Sequence, residues 1–144
     1  MIYLDTSFVV SLFTKDANSV AAASALQKAQ LPFLISSLTE LETVNALGLR
    51  VFRKEVSELE AAQSLRAFDE DLRRGSLLRI AIPESAFEQA RKLSLQFAAQ
   101  LGVRTPDLLH VTAAIELGST GLFTFDLQQR KLCSHVGLTL NPLP

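Results

Sequence analysis

The chain has 144 residues, 48% of them apolar, and a formal net charge of −1; it can bury a core without disulfide or metal staples, and its charge excludes a strongly basic binding surface. One cysteine, Cys133, excludes an internal disulfide, no paired Cys/His spacing suggests zinc, and the simplest expectation is a reducing cytoplasm. No run approaches the roughly 18 apolar residues of a membrane helix, and the opening Met1-Ile2-Tyr3-Leu4-Asp5 does not read as a signal peptide.

In chain order, residues 1–4 read as a short buried strand stopped by Asp5, and residues 7–13 and about 16–29 as helices. Phe33-Leu34-Ile35-Ser36 is a second strand. A long helical region follows, broken near Ser57, where Ser57 and Glu60 form a capping box. Its second half carries Leu59, Ala62, Leu65, Phe68 and Leu72 at helical spacing and stops at Gly75. Residues 77–82 form a third strand before Pro83. Ser85 and Glu88 give another capping box, and Ala86, Ala90, Leu93, Phe97 and Leu101 share a helix face that ends at Gly102. Thr105-Pro106 opens the next helix, with threonine as cap and proline in first position. Residues 122–125 are a fourth strand ending at Asp126, residues 127–132 a short helix, and residues 138–140 a last edge strand.

Strands alternating with helices imply crossover units, and hence an α/β fold with a mainly parallel sheet of four to five strands covered on both faces. No linker or repeat interrupts the chain, so residues 1–144 read as one domain. Ligands in such folds bind beyond the carboxyl ends of strands, where strand order reverses. That rule selects Asp5 and Asp126.

Two further acids lie early in helices, Asp107 after Thr105-Pro106 and Glu42 after the second strand. Each acid has a local explanation as a helix cap or dipole partner. Together they can lie at one end of the sheet, where clustered carboxylates repel unless a cation joins them. Mg²⁺ or Mn²⁺ takes oxygen ligands and keeps several waters, so the set points to metal-dependent phosphoryl transfer. Spacing alone leaves Glu40 and Glu42 as alternatives, about 200° apart around one helix. Asp107 opens a helix that is apolar on nearly every side. His110, three residues on and on the same side, reads as a buried histidine satisfied by a neighbour rather than as a metal ligand.

Tyr3-Leu4-Asp5-Thr6-Ser7, Ser36-Ser37-Leu38-Thr39 leading into Glu42-Thr43-Val44-Asn45-Ala46-Leu47, Arg104-Thr105-Pro106-Asp107-Leu108-Leu109-His110 and Leu122-Phe123-Thr124-Phe125-Asp126 together resemble the PIN-domain family, especially its VapC-like toxins. The resemblance runs nearly the whole length. It implies a three-layer α/β/α sandwich and endonucleolytic cleavage of RNA that depends on Mg²⁺ or Mn²⁺. Asp5 and Asp107 would be the main direct ligands. Asp126 and Glu42 would complete the site, often through water, and Thr6 and Thr124 would orient carboxylates or waters. The same pattern selects Glu42 over Glu40, because Asn45 and Ala46-Leu47 follow it. The resemblance further implies a homodimer and a small antitoxin partner that blocks the site.

RNA binding needs cations. Arg53 falls within roughly 20° of Glu42 and about 16 Å further along the helix; Arg104 precedes the Asp107 helix. These are the substrate-binding candidates. A haloacid-dehalogenase-like phosphatase would need an acid at Ser7, and a receiver domain would need paired acids after the first strand. The chief rival is a catalytically silent PIN-like module that binds RNA or protein, but binding phosphate does not call for clustered negative charge.

Overall fold

The computed structural model describes residues 1–144. The first strand, β1 (Ile2–Leu4), leads into α1 (Thr6–Phe13) and α2 (Ser19–Gln27). Then come β2 (Phe33–Ser36), α3 (Ser37–Phe52), α4 (Glu58–Arg74), β3 (Leu77–Ile80) and α5 (Glu84–Leu101). The chain closes with α6 (Thr105–Glu116), β4 (Gly121–Phe123), α7 (Leu127–Val136) and β5 (Thr139–Leu140). The five strands lie in the order β3-β2-β1-β4-β5, and every pairing is parallel.

Alternate residues of each strand face opposite layers, as the pleat requires. Tyr3, Leu34 and Leu122 pack against α5, α6 and α7 with Leu93, Phe97, Val111 and Leu132. Leu4, Phe33, Ile35 and Phe123 pack against Phe8, Ala22 and Phe68 from the other side. The sheet is thus buried on both faces, which is why its strands read as short apolar runs rather than as alternating ones. The fold is the expected α/β/α sandwich with a parallel sheet, at the upper end of the four to five strands anticipated.

Several boundaries differ from the sequence expectations. The fourth strand ends at Phe123, not 125. Phe125 is apolar because its ring stacks on Phe8 at 5.2 Å, not because it belongs to the ladder. The third strand stops at Ile80, while Ile82 still packs on the core. The α5 helix starts at Glu84 with Pro83 as its cap, and the Ser85–Glu88 box does not form. Arg104, not Thr105, caps α6, since the Asp107 carboxylate reaches back to the Arg104 N–H and closes the helix one residue earlier. Pro106 therefore takes the second helical position. The last helix runs to Val136, four residues beyond the expectation.

The Ser57–Glu60 capping box forms as expected, and Gly75 ends α4 in the left-handed conformation that glycine adopts without steric cost. At Gly121 a side chain is excluded for another reason. A Cβ there would meet the Thr139 carbonyl of β5 at 2.8 Å. No helix is long and apolar enough to cross a membrane.

Candidate active site

Strand order reverses beside β1, because the chain goes from β1 to β2 on one side and later to β4 on the other. The crevice beyond the carboxyl ends of β1 and β4 is the expected ligand position in such a sheet. Asp5 follows β1 directly. Asp126 stands three residues beyond β4, because Thr124 and Phe125 intervene.

Asp5 caps α1, accepting from the Phe8 N–H at 2.9 Å and from the Ser7 hydroxyl at 2.8 and 3.0 Å. Its residue is 1% exposed. Burial pushes the Asp5 carboxyl above its usual range; the His110 charge and the bonds from Phe8, Ser7 and Thr124 oppose this without cancelling it. Asp107, also buried, accepts the Arg104 N–H through Oδ2 at 2.8 Å. Asp126 caps α7, accepting from the Gln128 and Gln129 N–H groups through Oδ1 at 2.8 and 3.0 Å.

Capping and ligation are therefore compatible. The caps occupy Asp107 Oδ2 and Asp126 Oδ1, and leave Asp107 Oδ1 and Asp126 Oδ2 without a cap bond. Cap geometry fixes where the remaining oxygens point.

Glu42 sits in the second turn of α3. The capping box of that helix is Ser36 with Thr39, so neither glutamate is drawn into it. Glu42 Oε2 accepts from the Thr6 hydroxyl and lies 2.7 Å from His110 Nε2. Half-burial raises its pKa, but the His110 and Thr6 bonds and the charges of His110 and Arg104 outweigh burial and hold it below the ordinary glutamate range. Glu40 turns away and pairs with Arg79 on β3.

All four acids line one cleft of about 690 Å³, together with Thr6, Arg53 and Arg104. Only three of its nineteen lining residues are hydrophobic, which suits a hydrated, charged ligand better than an apolar small molecule. Thr124 does not line the cleft; its hydroxyl accepts the Asp126 N–H at 2.9 Å and lies 3.2 Å from the Ser7 hydroxyl that holds Asp5. Arg104 Nε is 3.5 Å from Asp107 Oδ2. Its Nη2 is 3.7 Å from Asp126 Oδ2, so a guanidinium spans the two acids. Arg53 is the distal cation of the cleft, whereas the neighbouring Arg50 is engaged by Thr14, Asp16 and Glu55. Sequence reasoning missed Ser7, Ser11 and Gln129. Only Ser7, two residues after a strand-terminal aspartate, carried a local signal, as a side chain that turns back on that aspartate.

No three acid, histidine or cysteine groups are placed to hold a cation by direct contact alone. The donor chemistry nevertheless fits Mg²⁺ or Mn²⁺. The donors are all carboxylate oxygens, and a cation would offset the cost that burial puts on ionising Asp5. An octahedral ion that keeps several waters reaches part of its ligands through those waters.

The family model described as the PIN domain matches residues 2–134. No curated protein matches the chain. Among solved structures, VapC20 of Mycobacterium tuberculosis, described as a sarcin-ricin-loop-cleaving toxin, superposes with a TM-score of 0.72 at 18% identity, over 100% of both chains. VapBC2 of Rickettsia felis, bound to a DNA fragment from its promoter, gives 0.67 at 21% identity over 97% of each chain. VapBC-1 of nontypeable Haemophilus influenzae gives 0.64 at 19% identity, over 97% of this chain and 96% of that one. At these identities the likeness is one of fold.

Proposed function

The chain belongs to the PIN-domain family, and on that premise we propose that it is a metal-dependent endoribonuclease, the toxin of a toxin–antitoxin pair. One observation carries the nuclease reading. Carboxylates from four separate segments, Asp5, Glu42, Asp107 and Asp126, converge on one polar cleft at the switch point of the sheet.

Asp5, Asp107 and Asp126 would hold Mg²⁺ or Mn²⁺, and Glu42 would complete the site through water. When bound, the ion supplies positive charge that acidifies water and offsets charge on the phosphodiester. The chain's own groups do the rest. Glu42, kept ionised by His110 and Thr6, has Oε1 open to accept a proton from water in the cleft. Arg104 at the cleft and Arg53 at its distal end meet phosphates. Thr6 and Thr124 hold the carboxylates and their backbone in place.

The toxin assignment draws on the neighbours, of which one is described as a toxin and two as VapBC structures. A small antitoxin and a second copy of this chain are the proposed partners. Exposed apolar side chains such as Phe52 and Leu95 supply surface for them to cover. A buried free cysteine accords with the proposed cytoplasmic location.

The test is cleavage of a structured RNA with Mn²⁺ or Mg²⁺, against EDTA and against Asp5→Asn. Cleavage that survives both controls would sink the metal-nuclease reading. Growth arrest on expression, relieved by a small protein encoded beside the gene, tests the toxin role. Sedimentation equilibrium tests the dimer, and a monomer at tens of micromolar would count against it.

A further inference from the structure

His110 lies within a hydrogen-bonded chain that runs from the core to the cleft. Its Nδ1 is 2.9 Å from the Tyr3 hydroxyl, which also lies 2.7 Å from Ser36 Oγ and 3.1 Å from Thr39 Oγ1. Its Nε2 is 2.7 Å from Glu42 Oε2. Tyr3 and His110 are buried, whereas the Glu42 side chain keeps 30% of its exposure. The two rings also meet edge to face, with centroids 5.9 Å apart.

This arrangement leaves the imidazole little freedom. A half-turn of the ring would break its bonds to both the buried phenol and the carboxylate, and an unpaired buried polar group is costly. Nε2 faces a carboxylate oxygen, so it carries a hydrogen and donates it. Oε2 is thus engaged twice, by Thr6 and by His110, while Oε1 has no hydrogen bond within the protein.

The geometry points to His110 as a positioning residue for the proposed cleavage: Tyr3 locks the ring, and the ring's Nε2–H fixes the Glu42 carboxylate so that Oε1 faces water in the cleft. The reaction it serves rests on the metal-nuclease reading; the geometric claim does not. A histidine that only filled and satisfied the core would affect folding, yet leave turnover and cation affinity of the folded protein unchanged.

Three variants separate these roles. His110→Asn keeps a polar group toward Tyr3 and loses the donor to Glu42. His110→Gln keeps an N–H near the position of Nε2. Tyr3→Phe frees the ring without opening a large cavity. For His110→Asn, kcat is expected to fall about 10- to 100-fold, the usual cost of removing a partner that orients a site carboxylate, with KM changed by less than about threefold. Mn²⁺ affinity of the EDTA-stripped protein, read by calorimetry, weakens in the same variant. His110→Gln restores most of both, and Tyr3→Phe falls between. Unchanged kcat and Mn²⁺ affinity in His110→Asn overturn the proposal. If that variant does not fold, Tyr3→Phe with parental values overturns it equally. Ring ¹⁵N shifts of the parent protein must show a hydrogen on Nε2; a bare Nε2 also overturns it. A parent protein that cuts no RNA defeats the nuclease reading, while the ¹⁵N spectrum still decides the geometry.

Discussion

Arg104 faces Asp126 across the cleft, guanidinium to carboxylate at 3.7 Å, and ties the start of α6 to the segment that follows β4. The arginine side chain is 73% exposed, so the pair adds only about 0–1 kcal/mol to stability. Its consequence is for substrate. Arg104→Gln is expected to melt close to the parent, to raise KM for RNA severalfold, and to lower the slope of log affinity against log salt by about one. Binding titrations at several salt concentrations check this, and an unchanged slope would remove Arg104 from the phosphate path.

Asp5 connects stability with chemistry. Its folded pKa is raised by burial, so the fold disfavours its ionised form. Stability therefore declines as pH rises through the unfolded value, about 3.9, toward the folded one, and stays at the lower level above it. Asp5→Asn removes that loss. In EDTA at neutral pH the variant should melt at or above the parent, with the difference vanishing below about pH 4. It should also lose RNA cleavage and the upward melting shift expected of the parent in Mn²⁺. A variant that melts well below the parent in EDTA would contradict this account.

Glu42 and Glu40 are separable by paired substitutions. Glu42→Gln is expected to lower kcat at least tenfold, in the range typical of a lost proton acceptor. Glu40→Gln loses only its surface contact with Arg79 and should change stability by less than about 1 kcal/mol with kcat retained. The opposite pattern would transfer the role to Glu40.

Cys133 is fully buried, and burial pushes its thiol up to about 12. It should resist iodoacetamide at pH 8 in the folded protein and react at once in urea, as mass spectrometry can show. Rapid alkylation of the native protein would indicate that α7 opens.

Much of this was legible in the chain. Apolar runs showed the strands because both sheet faces are buried, and Asp5 and Asp126, read as following strands, do both line the cleft, although Asp126 stands three residues past its strand. The boundaries blurred where apolarity serves packing outside the ladder, as at Phe125 and Ile82. The α6 cap was misplaced because the choice between Arg104 and Thr105 is made by the Asp107 carboxylate, whose reach back to a main-chain N–H leaves no mark in composition. The sequence showed His110 as a buried histidine with some neighbour. It could not show Tyr3 and Glu42 as those neighbours, since the two bonds join residues 107 and 68 positions apart and carry no local pattern.

The segment bearing Asp126 is secured late in the chain. Asn141 Oδ1 accepts the Thr124 N–H at 2.7 Å, and Arg130 binds the Thr124 carbonyl at 2.9 Å and the Asn141 carbonyl at 2.9 Å. A polypeptide still emerging from the ribosome holds Asp5, Glu42 and Asp107 well before it holds Asn141. The bonds that hold the Asp126 segment therefore close only once Asn141 has been made, which makes assembly of the complete acidic set a late event in the life of the chain.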